Sequence, residues 1–337
     1  MIILSDCFSE KVDEGCLKVA NSLAKRIKCK CPDTIIVSYE REAKLSDIHL
    51  KLNKLFINKK LISLLRKKDE PVLYIPFASN TTASALRTCV LSLFSKNRVK
   101  VIFSLRHSMN KATKLLLKIS KAEIIALSKE SYDFFRGEIG GKCTYLTTGV
   151  DTEKFSPVSD DEKTELKRKF NIAEGKRVLL HVGHLKSGRN VDKLLNVNEN
   201  YHVVLVVSSV TEHEKEADLR EKLSNRPNTT IIDTYLENIE EVYQMADVYL
   251  FPVQETENCI DVPLSVLEAA SCNVPVVATE YGELKAFVGQ PGFKFVEALD
   301  KEELNNALDE MSGKKTKNHL CVKQYDWNCS IENLLKV

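Results

Sequence analysis

The sequence predicts two α/β domains, each built around a parallel β-sheet. The chain has 337 residues, enough for two domains of ordinary size, and 43% of them are hydrophobic, enough for a core in each. Short apolar, β-branched runs alternate with amphipathic segments, which indicates parallel strands joined by crossover helices. This alternation is interrupted once. We therefore expect two Rossmann-like, doubly wound domains that face a cleft.

The first domain opens on a buried strand and continues through four more, each followed by a helix-like stretch. The alternation pauses at residues 148–157 and gives way to a charged run at 160–169. We place the boundary there, which gives domains of residues 1–157 and 158–337, with the last helix expected to pack back on the first domain. The predicted strands of the first domain are residues 2–4, 34–37, 72–75, 99–103 and 124–126.

The second domain repeats the pattern. Helices fit between its strands, for example at residues 212–224 and 239–246. A ligand is expected where strand carboxyl ends and helix amino termini meet. The predicted strands are residues 177–182, 202–207, 230–232, 247–251 and 274–279.

Hydropathy and cysteine usage predict a cytoplasmic protein. No apolar run reaches the roughly 18 residues that span a bilayer, and residues 1–6 lack the basic leader and long apolar core of a signal peptide. The ten cysteines are scattered, and Cys29 and Cys31 have neither a second pair nor a histidine at zinc spacing. We expect most cysteines to be reduced core residues, and no metal site.

Charge is divided unevenly, although the net charge is only +2. Residues 51–121 contain sixteen Lys or Arg against two acidic residues, a net of +14, while residues 1–50 are balanced and residues 122–337 carry −12. This division predicts an anionic partner for the first half. Residues 51–68 mix lysines with leucines at partly helical spacing, so they either lie on an anionic membrane or form an ordinary helix whose leucines pack inward. Nothing there resembles a nucleic-acid recognition motif, so we expect no nucleic acid.

The segment 262–279 is the most informative part of the chain. Its first half predicts a helix that opens near Pro263, and its second half a buried strand. Glu268 lies about one turn into that helix, where a carboxylate facing a ligand accepts hydrogen bonds from two sugar hydroxyls. The helix amino terminus offers amides and a partial positive charge to phosphates. A solvated surface glutamate is the alternative.

Several segments, which follow one another along the chain in the family's order, resemble retaining glycosyltransferases of the GT-B fold, specifically family 4 (glycosyl transferases group 1). The segment 262–279 resembles the family's nucleotide-sugar helix and following strand. Residues 239–252 resemble the helix and strand before it. The remaining matches are the first donor-domain loop, at 182–185 and 189–192, and the linker, at 148–151 and 155–157.

The resemblance implies transfer of a hexosyl group from a nucleotide diphosphate sugar to an acceptor hydroxyl, with retention and without a metal or other cofactor. The first domain would bind the acceptor, which is a glycan, a lipid-linked sugar or a cell-surface glycan precursor, at the cytoplasmic face of the membrane. Sugar phosphorylases and nucleotide-sugar epimerases share the fold. A non-catalytic relative that binds sugar or membrane is a further alternative.

The resemblance places the donor nucleotide in the second domain, where Glu268 would hold the ribose. A leaving diphosphate carries about two negative charges and needs cationic donors, most simply a bidentate arginine. Arg189 is the main candidate and Lys186 the second. The family usually has arginine where this chain has His184, which is only partly protonated near neutral pH. The donor-binding candidates of this domain are Gly183, His184, Lys186, Arg189, Leu264, Ser265 and Glu268.

The family's first carboxylate is missing from its usual place. Two glutamates normally stand eight positions apart, and counting back from Glu268 gives Ile260. Asp261 is the next residue, and the loop before it is longer than usual and adds Glu255 and Glu257. We predict that Asp261 contacts the donor sugar, with Glu257 behind it.

In the first domain, the resemblance places a catalytic histidine after the strand at 99–103, which gives His107. Gly15 falls near the glycine-containing turn that approaches the donor phosphates in relatives, although the usual paired glycines are absent. Ser128 and Lys129 resemble a minor family position at the cleft.

Overall fold

The computed structural model describes residues 1–12, 14–186, 188–207, 214–255 and 259–336. The chain divides into two compact units. The first comprises Met1–Thr148, Ile260–Val262 and Trp327–Val337, and the second comprises Gly149–Cys259 and Pro263–Asp326. The division after Thr148 precedes the sequence-based boundary at residue 157, because the linker residues pack with the second unit.

The first unit contains a seven-stranded, fully parallel sheet in the order β3-β2-β1-β4-β5-β6-β7. Successive strands are added on one side of β1 up to β3 and then, from β4 onwards, on its other side, so the strand order reverses between β1 and β4, as in other doubly wound sheets. β3 and β7 were not predicted, since two or three partly exposed residues give no apolar run. The strands are β1 (Ile2–Ser5), β2 (Ile35–Ser38), β3 (Ile48–His49), β4 (Val72–Ile75), β5 (Val99–Phe103), β6 (Glu123–Ala126) and β7 (Cys143–Tyr145).

Helices of the first unit begin at side chains that cap the free amide groups. Asn58, Thr81, Asn110 and Ser128 each accept a backbone hydrogen bond at the start of the helix that follows. The last helix belongs to this unit and packs on the first, with Lys30 and Glu332 3.0 Å apart. The helices are α1 (Gly15–Lys30), α2 (Lys59–Lys67), α3 (Thr82–Phe94), α4 (Lys111–Ser120), α5 (Lys129–Ile139) and α12 (Trp327–Lys336).

The basic segment forms a shorter helix than its composition predicted. Only Lys59–Lys67 is helical, and Phe56 before it has a left-handed φ of 58°. Phe56, Leu61 and Leu65 are buried in the core of the unit, while the lysines stay exposed. The apolar residues of α2 therefore mostly pack inward, as in the ordinary-helix alternative.

The second unit contains a six-stranded parallel sheet in the order β10-β9-β8-β11-β12-β13, again with a reversal, here between β8 and β11. β13 was not predicted because it is a three-residue edge strand. The strands are β8 (Arg177–Gly183), β9 (Tyr201–Val207), β10 (Thr229–Ile232), β11 (Val248–Phe251), β12 (Val276–Ala278) and β13 (Phe293–Phe295). The helices are α6 (Asp160–Lys169), α7 (Glu214–Ser224), α8 (Glu240–Gln244), α9 (Leu264–Ser271), α10 (Lys301–Met311) and α11 (Asn318–Val322), with 3₁₀ helices at Val191–Asn196, Gly282–Phe287 and Lys323–Tyr325.

The ten cysteines are all free. Our expectation that most of them are core residues is wrong, because only Cys7, Cys16 and Cys272 are buried. No helix in the described part of the chain is long and apolar enough to cross a bilayer.

Asp247 joins α6 to the sheet of the second unit. Its carboxylate lies 2.8 Å from Lys163 Nζ and 2.6 Å from Lys167 Nζ, and it accepts a hydrogen bond from the Val178 amide at 2.7 Å. Burial raises the pKa of Asp247, but the two lysines and the Val178 amide outweigh it and hold the pKa below its ordinary value. The carboxylate is thus ionised at neutral pH.

We predict that Asp247→Asn lowers the free energy of unfolding by about 2–4 kcal/mol, because it leaves two partly buried lysines without their counter-charge. Urea unfolding of the second unit, followed by circular dichroism, measures this loss. The control is Glu165→Gln on the same helix, which removes an exposed pair with Arg168 and should cost less than about 1 kcal/mol. Equal losses in the two variants would contradict the role given to Asp247.

Candidate functional site

The strand-order reversal of the second unit marks its candidate ligand site. In doubly wound sheets, ligands bind beyond the carboxyl ends of the two strands at the reversal, because the loops that follow them diverge to opposite faces. Here these strands are β8 and β11. The loop after β8 holds the predicted cations, and the segment after β11 leads to the helix with Glu268. The fold thus brings the two predicted donor-binding segments to one edge of one sheet.

The loop after β8 is compact where it leaves the strand. A Cβ atom added to Gly183 would lie 3.1 Å from both Arg189 Nη1 and His181 Nε2, so a larger residue here would displace the guanidinium. His184 and Arg189 are partly buried, whereas Lys186 is exposed. Close packing at Gly183 therefore places the Arg189 side chain directly beside the end of β8.

Asn190 ties this loop to the segment after β11. It adopts a left-handed φ of 54°, and its side-chain amide donates to the Pro252 carbonyl at 2.9 Å and to Gln254 Oε1 at 3.0 Å. Asparagine tolerates this backbone conformation better than most residues. Asn190 thus fixes the arrangement of the two loops at the reversal.

Glu268 lies in the second turn of α9, with only 5% of its surface exposed. It is not the solvated surface glutamate of the alternative interpretation. Tyr243 of α8 donates its hydroxyl proton to Glu268 Oε2 at 2.7 Å. Burial, together with the nearby carboxylate, raises the pKa of Tyr243 well above its ordinary value, so the phenol remains the donor. Pro263 is the N-cap of α9, and Leu264 and Ser265 are its first two residues.

His181 completes a buried polar group beneath this edge. Its ring is 1% exposed and stacks on Tyr249, with the centroids 6.5 Å apart. Nδ1 lies 2.9 Å from the Leu250 carbonyl, which can only accept, so Nδ1 carries the proton and Nε2 has a lone pair. Nε2 is buried without a hydrogen-bond partner. Burial lowers the pKa of His181 to about 4, so the ring is neutral at physiological pH.

Asp261 belongs to the first unit although the chain on both sides of residues 260–262 belongs to the second. Oδ2 accepts hydrogen bonds from Ser128 Oγ and Ser131 Oγ, both at 2.5 Å, and Oδ1 lies 3.9 Å from Arg106 Nη2. Ser128 is the N-cap of α5, so Asp261 is held at the start of that helix. One oxygen of the carboxylate that was predicted to contact the sugar thus already accepts two hydrogen bonds. Its contact to the donor remains a prediction, and Glu257 lies outside the described residues.

Ile260 replaces the expected carboxylate with an apolar contact. Its side chain is 7% exposed and lies against Gly15, the first residue of α1. A Cβ atom added to Gly15 would lie 3.0 Å from Ile260 Cδ1, so a larger residue here would push the isoleucine side chain aside by a few tenths of an ångström. Gly15 therefore has a packing role in the first unit, whatever its role toward phosphates.

His107 lies in the loop after β5, where Asn80 holds its backbone. Asn80 Oδ1 accepts from the His107 amide at 2.9 Å, and Asn80 Nδ2 donates to the His107 carbonyl at 2.7 Å. The ring is partly buried. This bidentate contact fixes the loop at the carboxyl edge of the sheet without using the imidazole.

Sequence reasoning missed Tyr243, His181 and Asp6. Tyr243 lies in a predicted helix and His181 in a predicted strand, and only the tertiary structure shows their polar contacts. Asp6 follows β1 at the strand reversal of the first unit, where burial raises its pKa despite the Phe77 amide hydrogen bond at 2.7 Å. An acidic residue directly after a buried strand was the available signal.

Residues 162–325 match the family model described as "Glycosyl transferases group 1". The second unit is therefore a group 1 glycosyltransferase domain. The matched residues include β8, β11 and α9, and thus all of the group 1 site residues predicted in this unit. Within the described residues, no cluster of three or more potential metal ligands occurs.

Known proteins resemble both units. A glycosyltransferase from Rickettsia africae has 15% sequence identity, with a TM-score of 0.79 over 99% of this chain and 97% of that one. Anabaena HepE, solved in complex with UDP, has 14% identity and a TM-score of 0.77 over 99% of this chain and 98% of that one. The prediction of two parallel-sheet α/β domains, as in GT-B glycosyltransferases, is confirmed.

A curated relative resembles part of the chain. The alpha-galactosylglucosyldiacylglycerol synthase of Streptococcus pneumoniae is 22% identical over 197 residues. This match covers 52% of this chain and 50% of the relative, so it spans about half the length of either protein.

We predict that acid destabilises the second unit through His181. The folded state holds the pKa of this group at about 4, below its ordinary value of 6.5, so the unfolded state binds more protons between these values and stability falls as pH falls through that window. Between pH 7 and pH 4 the loss from this group is about 3 kcal/mol. His181→Gln should reduce the difference in unfolding free energy between these pH values. An unchanged acid sensitivity in His181→Gln would refute the assignment.

Proposed function

We propose that the protein transfers a sugar from a nucleotide diphosphate sugar to an acceptor hydroxyl, with retention of the anomeric configuration. The observation that carries this proposal is that a buried carboxylate, Glu268, and the cationic loop of Arg189 both follow the two strands at the reversal of a group 1 domain. Carboxylates bind sugar hydroxyls, and guanidinium groups bind diphosphates. HepE, which has the same fold, was solved in complex with UDP-glucose.

In this proposal, the second unit binds the donor nucleotide. Glu268 accepts hydrogen bonds from the ribose hydroxyls, and Tyr243 holds its orientation. Arg189 and Lys186 neutralise the diphosphate, with His184 in the same loop. Stabilising the negative charge of the leaving group is the main catalytic task, and the two side-chain cations supply it without a metal.

Two further residues, Asp261 and His107, are proposed to act on the transferred sugar. Asp261 and His107 keep the roles predicted from the sequence, as the carboxylate that positions the sugar and the histidine that polarises groups near the anomeric carbon. For Asp261 to bind a sugar hydroxyl, Ser128 or Ser131 must release it or share it. A buried carboxylate has four lone-pair positions, so sharing is chemically feasible.

The acceptor is proposed to be lipid-linked or a glycan precursor, bound by the basic first unit at the cytoplasmic face of a membrane. The net charge of +14 in residues 51–121 and the exposed lysines of α2 support an anionic partner. Two similar proteins support this acceptor class: the alpha-galactosylglucosyldiacylglycerol synthase of Streptococcus pneumoniae, and WaaG, described as a glycosyltransferase involved in lipopolysaccharide biosynthesis.

We predict that Glu268→Gln weakens binding of the donor nucleotide by at least about tenfold, since a neutral amide replaces the carboxylate that accepts from the ribose. Isothermal titration with nucleoside diphosphates measures this change. Tyr243→Phe removes the internal partner of Glu268 and should cost less affinity, and Glu310→Gln on the exposed face of α10 is a neutral control. If Glu268→Gln and Arg189→Ala combined leave donor turnover unchanged, the proposed function is wrong.

A thermal-shift screen identifies the donor. A ligand that binds only the folded protein raises its stability by RT ln(1 + [L]/Kd), so about 2.7 kcal/mol is expected at a hundredfold excess over Kd. We expect nucleoside diphosphates and their sugars to raise the melting temperature of the wild-type protein but not of Arg189→Ala. A panel in which no nucleotide gives a shift would contradict donor binding.

A non-catalytic donor-binding protein is the second candidate function. Two observations favour it: the family's usual carboxylate position holds Ile260, which packs on Gly15, and Asp261 already accepts two serine hydrogen bonds. Nucleotide binding measured by titration, combined with an absence of donor hydrolysis or transfer with any acceptor, would support this candidate. Donor turnover would exclude it, and dependence of that turnover on free phosphate, or isomerisation of the donor, would indicate a phosphorylase or an epimerase.

A further inference from the structure

A cavity in the first unit lies beside the amino ends of the strands, whereas the candidate site residues follow their carboxyl ends. Its volume is about 370 Å³, and it lies between the end of α4, the helix α5 and the amino ends of β6 and β7. His107 and Ser128 follow the carboxyl ends of β5 and β6. Since these strands are parallel, the cavity and the candidate residues lie at opposite edges. The cavity therefore does not belong to the proposed transfer site.

The walls of this cavity are apolar. Leu117 of α4, Phe135 and Ile139 of α5, and Ile124 of β6 line it, and all four belong to the core of the unit. Its volume is near the lower end of the range for ligand pockets, about 300–1,000 Å³. A cavity of this size and lining fits part of a hydrocarbon chain.

The rim of the cavity is cationic. Lys118, Lys121 and Lys142 line it, no acidic residue does, and in the described part of the chain these three lysines make no ion pair. Glu138, on the adjacent helix, is paired with Lys114. An anionic group at the rim would thus meet three lysines without displacing an existing partner.

A second cavity extends the cationic region. It has a volume of about 430 Å³, shares residues 141–143 with the first, and adds Arg98 and Arg136. Its one acidic residue, Glu123, accepts a hydrogen bond from Thr144 Oγ1 at 2.5 Å. The two cavities together provide an apolar part and a polar, basic part, the combination that suits an anionic amphiphile.

The helix beside the rim exposes large apolar side chains to solvent. Leu115 is 59% exposed and Ile119, one turn later on α4, is 62% exposed. Leu93 on α3, which packs along α4, is 76% exposed. Exposed apolar residues next to lysines on one helix are typical of a helix that lies in the membrane interface. They favour a lipid in a bilayer over a free anion.

We propose that this face of the first unit binds an anionic phospholipid of a bilayer. One acyl chain enters the apolar cavity, the phosphate meets Lys118, Lys121 and Lys142, and Leu115 and Ile119 enter the interface. The proposal rests on the membrane association proposed above and names its site, but it does not depend on sugar transfer.

Flotation with vesicles tests the proposal. Vesicles of phosphatidylcholine alone are compared with an equal mixture of phosphatidylcholine and phosphatidylglycerol, and the wild-type protein should float only with the anionic mixture. Gly141→Leu fills the mouth of the cavity without backbone strain, since a Cβ atom there lies 3.8 Å from Ile139 Cγ2, an ordinary contact. Excluding about two methylene groups of the acyl chain should weaken binding about tenfold.

A matched pair of charge variants separates this site from general basicity. Lys118→Glu with Lys121→Glu and Lys142→Glu should abolish flotation. The control changes three exposed lysines of α2 by the same charge, as Lys59→Glu with Lys60→Glu and Lys67→Glu, and should retain most of it. Circular dichroism and the melting temperature confirm folding, and donor turnover with a soluble acceptor should stay unchanged in Gly141→Leu.

Each result bears on the proposal. Equal losses in the two triple variants, with no effect of Gly141→Leu, would overturn the lipid site and leave a diffuse electrostatic association with the membrane. Failure of the wild-type protein to float with anionic vesicles would overturn both the lipid site and the membrane association, while sugar transfer would be judged by the donor assays alone. Binding of a monomeric fatty acid without flotation would assign the cavity to a soluble ligand and refute the bilayer.

Discussion

The hydrogen bond between Tyr243 and Glu268 is the interaction on which the second unit depends. A carboxylate in the second turn of a buried helix is costly to remove from water unless hydrogen bonds compensate it. The tyrosine supplies one, because burial keeps its phenol protonated. Helices α8 and α9 precede and follow β11 in the chain, and this bond joins them and fixes the orientation of the carboxylate. The donor-binding role proposed for Glu268 depends on this fixed position.

The residues around Arg189 are also positioned by buried polar contacts and close packing. His181 donates to the Leu250 carbonyl and stays neutral, so the group beside Arg189 adds no competing positive charge. Gly183 leaves room for the guanidinium, and Asn190 joins the loops after β8 and β11. Arg189, proposed to bind the diphosphate, and Glu268, proposed to bind the ribose, are thus each positioned by neighbouring side chains.

The first unit has a different distribution of function over its sheet. Its carboxyl edge carries His107 and the serines that hold Asp261, and its amino edge carries an apolar cavity with a lysine rim. If a lipid binds beside the amino ends of the strands and the acceptor beside their carboxyl ends, the bound lipid does not obstruct the acceptor site. The excess positive charge in this part of the sequence therefore has two components, a diffuse one on α2 and a localised one at the end of α4.

The sequence by itself determined the two parallel-sheet units, most of their strands, and the family of the second unit. These features depend on local signals, namely β-branched runs, helix caps and short motifs, which survive without knowledge of long-range contacts. It also placed Glu268 and Arg189 in the segments after β11 and β8. Short edge strands such as β3, β7 and β13 escaped prediction, because their pairing depends on neighbours distant in sequence rather than on their own composition.

Only the tertiary structure decided which polar residues make hydrogen bonds to other residues of the protein. In the folded chain Tyr243 donates a hydrogen bond to Glu268, and Ile260 packs on Gly15. Asp261 accepts hydrogen bonds from two serines that are more than 120 residues away in the chain. The tertiary structure also turned most of the apolar residues of α2 inward and exposed Leu115 and Ile119 of α4. The physical reason is the same in each case: burial and hydrogen bonding are properties of the packed chain, and the residue types that make these contacts are common to many sequence positions that do not.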